Sequence, residues 1–150
     1  MECISVFDML KIGVGPSSSH TLGPWRAAER WIEDLKRKKR FEKIEHIKVD
    51  LYGSLSLTGK GHATDLAIVL GLSGADPERV PIDAIHEIVN SVKRTGKLLL
   101  NNIKPIAFNF SNDITFHRKF LPFHANGMVF SALINGRYYK STYYSIGGGF

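Results

Sequence analysis

The sequence contains a single cysteine and has no long apolar run, and each of these absences excludes a class of protein. Cys3 stands alone, so an internal disulfide is impossible and the chain fits a reducing cytoplasm. No apolar stretch approaches the roughly 20 residues of a membrane-spanning helix. The first residues also lack the basic-then-apolar pattern of a secretory signal. We therefore expect a cytoplasmic domain that has no membrane partner.

Because the formal net charge is +6, a nucleic acid is a candidate partner. Much of this charge lies in one run, residues 36–40, at the predicted end of a helix. Cations at that position complement the helix dipole and need only solvent. No recognised nucleic-acid motif accompanies the run, so we expect no nucleic-acid partner. A nucleic-acid-binding protein would instead show a strongly salt-dependent affinity.

A loop rich in hydroxyl groups stands between glycines and prolines at residues 13–24 and precedes a predicted helix. Backbone N–H groups and the positive end of the dipole at a helix N-terminus suit a carboxylate or a phosphate. The alternative is that Ser19 or Thr21 is only an N-cap and Pro24 a first-turn proline. Because one hydroxyl is enough for a cap, we interpret the segment as a binding loop. This SSSHT loop comprises Ser17, Ser18, Ser19, His20 and Thr21.

A second glycine-rich loop is predicted at residues 54–62, between a strand and a helix, and ends in the TGKGH loop, residues 58–62. It resembles a P-loop, but it has one residue too many between the glycines, and Gly61 replaces the hydroxyl residue that would hold magnesium. Nucleotide hydrolysis is therefore not expected, although the turn still suits a small anion. The Gly-Val-Gly at residues 13–15 also fails the dinucleotide-binding pattern, since Ser18 occupies the third glycine position.

Two histidines, His20 and His62, each stand at the mouth of a predicted helix after one of these loops. Imidazole can donate a hydrogen bond to a substrate oxygen or relay a proton. The alternative for each is a hydrogen bond within its own loop. Lys60 would neutralise a substrate carboxylate or remain an exposed side chain, and Arg26 has the same two interpretations. Asp65 is predicted to be a first-turn acid that complements the helix dipole.

For the other four histidines we prefer a structural role, and without clustered third and fourth ligands we expect no metal site. These histidines are His46, His86, His117 and His124.

The pattern of apolar residues predicts one α+β domain over residues 1–150, with about three helices packed on one face of a mostly antiparallel sheet. The predicted helices cover residues 22–39, 63–70 with a stop at Gly71, and 82–94. The predicted strands cover residues 47–52, 98–100, 106–110 and 113–116, followed by a hairpin of 128–134 and 137–146 around Asn135-Gly136.

Three groups of motifs resemble the β domain, the N-terminal domain, of iron–sulfur-dependent L-serine dehydratases, and the resemblance runs along the whole chain. The first is SVFDM at residues 5–9 with KIG at 11–13, GPSSSHT at 15–21 and GP at 23–24. The second is YGSL at 52–55, TGKGH at 58–62 and TD at 64–65, and the third is YSIGGG at 144–149.

The resemblance implies a homodimeric L-serine ammonia-lyase that converts L-serine to pyruvate and ammonia in serine catabolism and gluconeogenesis. Its catalytic domain would carry a [4Fe-4S] cluster whose open iron binds the substrate hydroxyl and aids its loss as a Lewis acid. Such a cluster is typically held by four thiolates. With one cysteine in the chain, its ligands must lie outside these residues. We therefore expect the chain alone to bind no cofactor and to be inactive.

Carried over by motif, the resemblance implies that His20 and His62 are catalytic and that the hydroxyls of the SSSHT loop, with Lys60, bind or orient L-serine. The domain would complete a substrate site whose other part lies in the catalytic domain. The fold is also similar to the allosteric substrate-binding domain of some phosphoglycerate dehydrogenases. A purely regulatory module that binds serine or a small anion is therefore the alternative.

Overall fold

The computed structural model describes residues 20–59 and 64–145, and it confirms the α+β class. The helices are α1 (Leu22–Arg37), α2 (Ser54–Gly59), α3 (Thr64–Leu72), α4 (Ile82–Thr95) and α5 (Phe110–Asp113), with a 3₁₀ turn at Phe41–Lys43. The strands are β1 (His46–Leu51), β2 (Lys97–Leu100), β3 (Lys104–Ala107), β4 (Ile114–Phe116), β5 (Gly127–Ile134) and β6 (Arg137–Tyr144). Within these residues no helix combines the length and the apolar character needed to cross a bilayer.

The main sheet has the strand order β4-β1-β5-β6, and only the β1–β4 pair is parallel. Strands β2 and β3 form a separate antiparallel pair. The sheet is therefore mostly antiparallel, as predicted. The hairpin β5–β6 turns at Asn135 and Gly136, both with positive φ, which confirms the Asn-Gly turn.

Alternation along β1 decides which face of the sheet is buried. Val49 is fully buried and pairs with Phe130 of β5, and the Phe130 ring stacks against Trp31 of α1 with the ring centres 5.0 Å apart. On the opposite face Lys48 and Lys140 are exposed. Because side chains alternate along a strand, this pattern places the core on the face that α1 covers and leaves the other face to solvent.

The structure corrects the prediction of a loop at residues 54–62, because residues 54–59 form helix α2. Gly53 has a φ of 59°, so the chain turns sharply after β1 and the helix begins at once. Leu55 is fully buried, and its packing stabilises a helix too short to form alone. Residues 60–63, which include the rest of the predicted loop, lie outside the described residues.

Other predicted bounds shift by a few residues, and one strand ends early. Helix α1 ends at Arg37 rather than at 39, and β3 covers 104–107 rather than 106–110. Phe110 instead begins α5, because the Asn109 side chain caps a helix there. Its carbonyl oxygen accepts hydrogen bonds from the backbone N–H groups of Ser111 and Asn112. With α2 and α5 added, the described residues contain five helices rather than about three.

Gly71 was predicted to stop its helix, but α3 runs through it to Leu72. Its role is in packing: a Cβ on this residue would lie 2.5 Å from the Trp25 carbonyl oxygen and 2.8 Å from the Ala28 Cβ. Both neighbours belong to α1. The glycine therefore allows the backbones of α1 and α3 to come into direct contact.

Replacing Gly71 by alanine tests this contact. In an isolated helix, alanine in place of glycine would stabilise the helix by roughly 0.8–1.0 kcal/mol. Here we expect a net loss of about 1–3 kcal/mol in the free energy of unfolding, because the added methyl group meets a backbone carbonyl that cannot move aside. Urea unfolding measures the difference. Asn90→Ala, at an exposed position of α4, calibrates helix propensity, and equal stabilisation by both changes would contradict the packing role.

Candidate functional site

Helices α1 and α3 lie side by side and run in the same direction. Near their N-termini, the Thr64 hydroxyl donates a hydrogen bond to the His20 carbonyl oxygen at 2.5 Å. One to two turns further along, Gly71 meets Trp25 and Ala28. The two N-termini therefore lie together, and the positive ends of both helix dipoles act on the same region. This is the region into which the SSSHT and TGKGH loops lead in the sequence.

The bond between Thr64 and His20 joins the ends of the two predicted loops. Thr64 is fully buried, and Thr21 is also buried. Thr21 occupies the N-cap position of α1, but its side chain makes no capping hydrogen bond. The alternative that Thr21 is an N-cap is therefore right about its position but not about a capping bond from its side chain, and Ser19 lies outside the described residues. The sequence alone did not single out Thr64, since a threonine after the TGKGH loop carries no signal of a long-range partner.

The predicted site residues divide into two groups. His20 and Thr21 lie at the start of α1, next to the N-terminus of α3. The roles predicted for them, catalysis and substrate binding, stay predictions. The remaining predicted residues lie outside the described residues, and their roles also stay predictions: Ser17, Ser18, Ser19, Lys60 and His62.

Asp65 is in the first turn of α3, and its carboxylate accepts a hydrogen bond from the Leu66 backbone N–H at 2.9 Å. This confirms the predicted first-turn acid. Asp65 also borders an open groove of about 520 Å³. The rest of the lining comes from α5 and β4 and mixes aromatic with hydroxyl side chains: Phe110, Ser111, Ile114, Thr115 and Phe116. The N-terminus of α3 thus adjoins a space large enough for a small polar molecule.

Arg26 is half-buried and engaged in ion pairs, so it is not the exposed side chain of the second interpretation. Its guanidinium lies 3.0 Å from the Glu29 carboxylate and 3.4 Å from that of Glu78. Burial raises the pKa of the Glu29 carboxyl, while the bond from Arg26 acts in the opposite direction. The ion pair between Arg26 and Glu78 links α1 to the segment after α3.

Two of the histidines assigned a structural role form matching pairs across the parallel strands β1 and β4. His46 Nε2 lies 2.7 Å from Asp113 Oδ1, and His117 Nε2 lies 2.7 Å from Asp50 Oδ1. The His46–Asp113 bond lies where β1 and β4 begin, and the His117–Asp50 bond lies where they end. His124 accepts a hydrogen bond through Nδ1 from the Asn126 backbone N–H. These contacts agree with the structural role predicted for the three histidines, which stays a prediction.

The His117 ring also stacks on Tyr52, with the ring centres 4.4 Å apart and the planes 7° from parallel. Burial raises the pKa of the Tyr52 phenol, and the Asp50 carboxylate raises it further. This cluster fixes the end of β1 directly before the Gly53 turn, and so sets where the chain enters α2.

Among residues 20–59 and 64–145, no three His, Cys, Asp or Glu side chains are grouped so that they could hold a metal ion. The chain has one cysteine, whereas an iron–sulfur cluster typically takes four thiolates. The residues of this chain therefore do not fit such a cluster.

Comparison with known proteins shows the family to which the chain belongs. The model of the serine dehydratase beta chain matches residues 5–150, so the chain belongs to that family. It is 52% identical to an L-serine dehydratase of Haemophilus influenzae and 48% identical to L-serine dehydratase 1 of Escherichia coli, over 98% of the chain in both cases. A Helicobacter pylori L-serine dehydratase is 38% identical over the whole chain. The chain spans 33% of the length of each of these relatives.

Removing the hydroxyl of Thr64 tests the link between the two helix N-termini. Thr64→Val keeps the shape of the side chain, and we expect it to lower the free energy of unfolding by about 1–3 kcal/mol, because the His20 carbonyl loses its donor where the Thr64 side chain is fully buried. Thr115→Val, at an exposed position of β4, is the matched control and should stay within about 0.5 kcal/mol. Equal effects of the two changes in urea unfolding would show that the bond does not hold the N-termini together.

Proposed function

We propose that this domain completes the substrate site of an L-serine ammonia-lyase, the enzyme that converts L-serine to pyruvate and ammonia. The observation that carries the proposal is the parallel pair α1 and α3, whose N-termini are joined through Thr64 and His20. The membership of the serine dehydratase beta chain family and the names of the relatives support it.

The substrate carboxylate would lie at the two helix N-termini. Each helix end stabilises an anion by typically 0.3–1 kcal/mol, rising to about 2 in partly buried sites. The hydroxyls of the SSSHT loop would donate hydrogen bonds to the carboxylate and accept them from the amino group, and Lys60 would add a positive charge. In this arrangement the domain orients L-serine before the reaction and excludes water from one side of it.

The reaction begins with the loss of water, in which the α-proton and the β-hydroxyl leave. The resulting enamine tautomerises to an imine, which water hydrolyses to pyruvate and ammonia. In the first step both the leaving oxygen and the departing proton need positioned partners. His20 and His62 would supply them, by donating to a substrate oxygen or by relaying a proton. A [4Fe-4S] cluster, if bound by the rest of the enzyme, would supply Lewis acidity at the hydroxyl. The proposal includes the catalytic domain of the same enzyme as partner, a homodimeric assembly, a cytoplasmic location and a role in serine catabolism. These elements rest on the family resemblance.

A chimeric enzyme tests the proposal. The chain replaces the matching third of the Haemophilus influenzae L-serine dehydratase, to which it is 52% identical, and pyruvate formation from L-serine is measured under anaerobic conditions. The chimera should be active. His20→Ala should lower kcat/KM at least about tenfold, the low side for a positioned acid–base or oxyanion group, and His62→Ala should do the same.

His86→Ala provides the matched control, because His86 is exposed on α4 and should leave kcat/KM unchanged. The melting temperature of the isolated chain should be nearly unaltered by His20→Ala. If instead His20→Ala lowers the melting temperature strongly while the chimera keeps its activity, the histidine has a structural role. An inactive chimera that is folded and carries its cluster would contradict the proposed function itself.

A further inference from the structure

Residues 117–126, between β4 and β5, expose two large aromatic side chains next to the candidate site. Phe120 is 56% exposed and Phe123 is 69% exposed. Elsewhere in the described chain, the exposed large hydrophobic residues are Leu99 and Ile103, in β2 and the β2–β3 turn, and Tyr138 of β6. We call residues 117–126 the aromatic tip. Exposed phenylalanines on a fixed support supply the aromatic side chains that are enriched where a partner covers a surface.

The support is rigid because the aromatic tip is bonded to the turn that follows β1. The Gly53 backbone N–H donates to the Lys119 carbonyl oxygen at 2.8 Å, and the Ser54 N–H donates to the Ala125 carbonyl oxygen at 2.9 Å. A Cβ on residue 53 would lie 2.2 Å from that same Ala125 oxygen. The rings are therefore presented in a defined arrangement, so little conformational entropy would be lost on docking.

The charges around the two rings indicate the kind of surface that would fit them. The aromatic tip contains Arg118 and Lys119 and no acidic residue. The nearby carboxylate of Asp50 is bonded to His117. A complementary surface would thus offer an apolar pocket for the phenylalanines with acidic side chains at its rim.

We infer that the aromatic tip docks onto the two thirds of an L-serine dehydratase that the relatives possess beyond the part matched by this chain. This inference rests on the proposed function and names the surface through which the domain meets its partner. The aromatic tip adjoins the Gly53 turn and α2, the segment that leads into the TGKGH loop. A partner seated on the tip would therefore border the candidate site.

The size of the surface favours this occupant over a second copy of the chain. A stable interface between separate proteins buries about 800 Å² per partner, and two phenylalanine rings supply only a small part of that area. Within one polypeptide the effective concentration is high, so a small anchor is sufficient. Aromatic side chains, phenylalanine among them, are enriched at interfaces relative to the rest of the surface.

Amide hydrogen exchange in the chimera tests the inference independently of activity. Amides of the aromatic tip should exchange at least about fivefold more slowly in the chimera than in the isolated chain, because docking suppresses local opening. Phe123→Ser should remove this protection. Phe123 is the better position to change because it is the more exposed of the two. Its ring contacts Tyr144, with the ring centres 5.0 Å apart, whereas the Phe120 ring lies against the Gly53 turn. Ile103→Ser, at a residue 59% exposed, is the matched control and should keep the protection.

Equal exchange of the aromatic tip in the chimera and in the isolated chain would overturn the inference. So would protection in the isolated chain that rises with its concentration, because this would identify a second copy as the occupant. Activity separates the two proposals. An active chimera with an unprotected tip would refute the docking surface alone, whereas an inactive chimera with a protected tip would refute the proposed function alone.

Discussion

The direct backbone contact between α1 and α3 is the constraint on which the candidate site depends. At Gly71 there is no room for even one methyl group between the two helices, and at their N-termini the Thr64 hydroxyl reaches the His20 carbonyl. Two parallel helices repel each other slightly through their dipoles, so packing and hydrogen bonds must hold them together. As a result of this packing, the positive ends of both helix dipoles act on the same region.

The sheet determines where that helix pair lies. Trp31 of α1 stacks on Phe130 of β5, and Phe130 pairs with Val49 of β1. Strand β1 is held at both ends by His–Asp pairs to the segment around β4. Because β1 ends in the Gly53 turn, these contacts also set the position of α2 and of the aromatic tip. The site and the proposed docking surface are therefore supported by one core.

The sequence predicted the long elements well, since α1, α4, β1 and the β5–β6 hairpin each show a clear period or turn signal. It failed where tertiary packing decides. The short helix α2 forms because Leu55 is buried, and Gly71 is a packing residue rather than a stop. Neither effect can be read from local pattern. For the site, the motifs predicted His20 correctly at a helix mouth, but not its bond to Thr64, a partner 44 positions away in the chain.

The central claim is that this domain supplies part of a substrate site rather than a whole one, and titration of the isolated chain with L-serine tests it most directly. One or two charge-assisted hydrogen bonds at roughly 1.5–3 kcal/mol each barely reach the 4.1 kcal/mol of a millimolar dissociation constant once ordering costs are included. We expect the amide shifts of residues 17–21 to give a dissociation constant weaker than about 1 mM. Saturation in the micromolar range would contradict the account and identify the domain as a regulatory binding module.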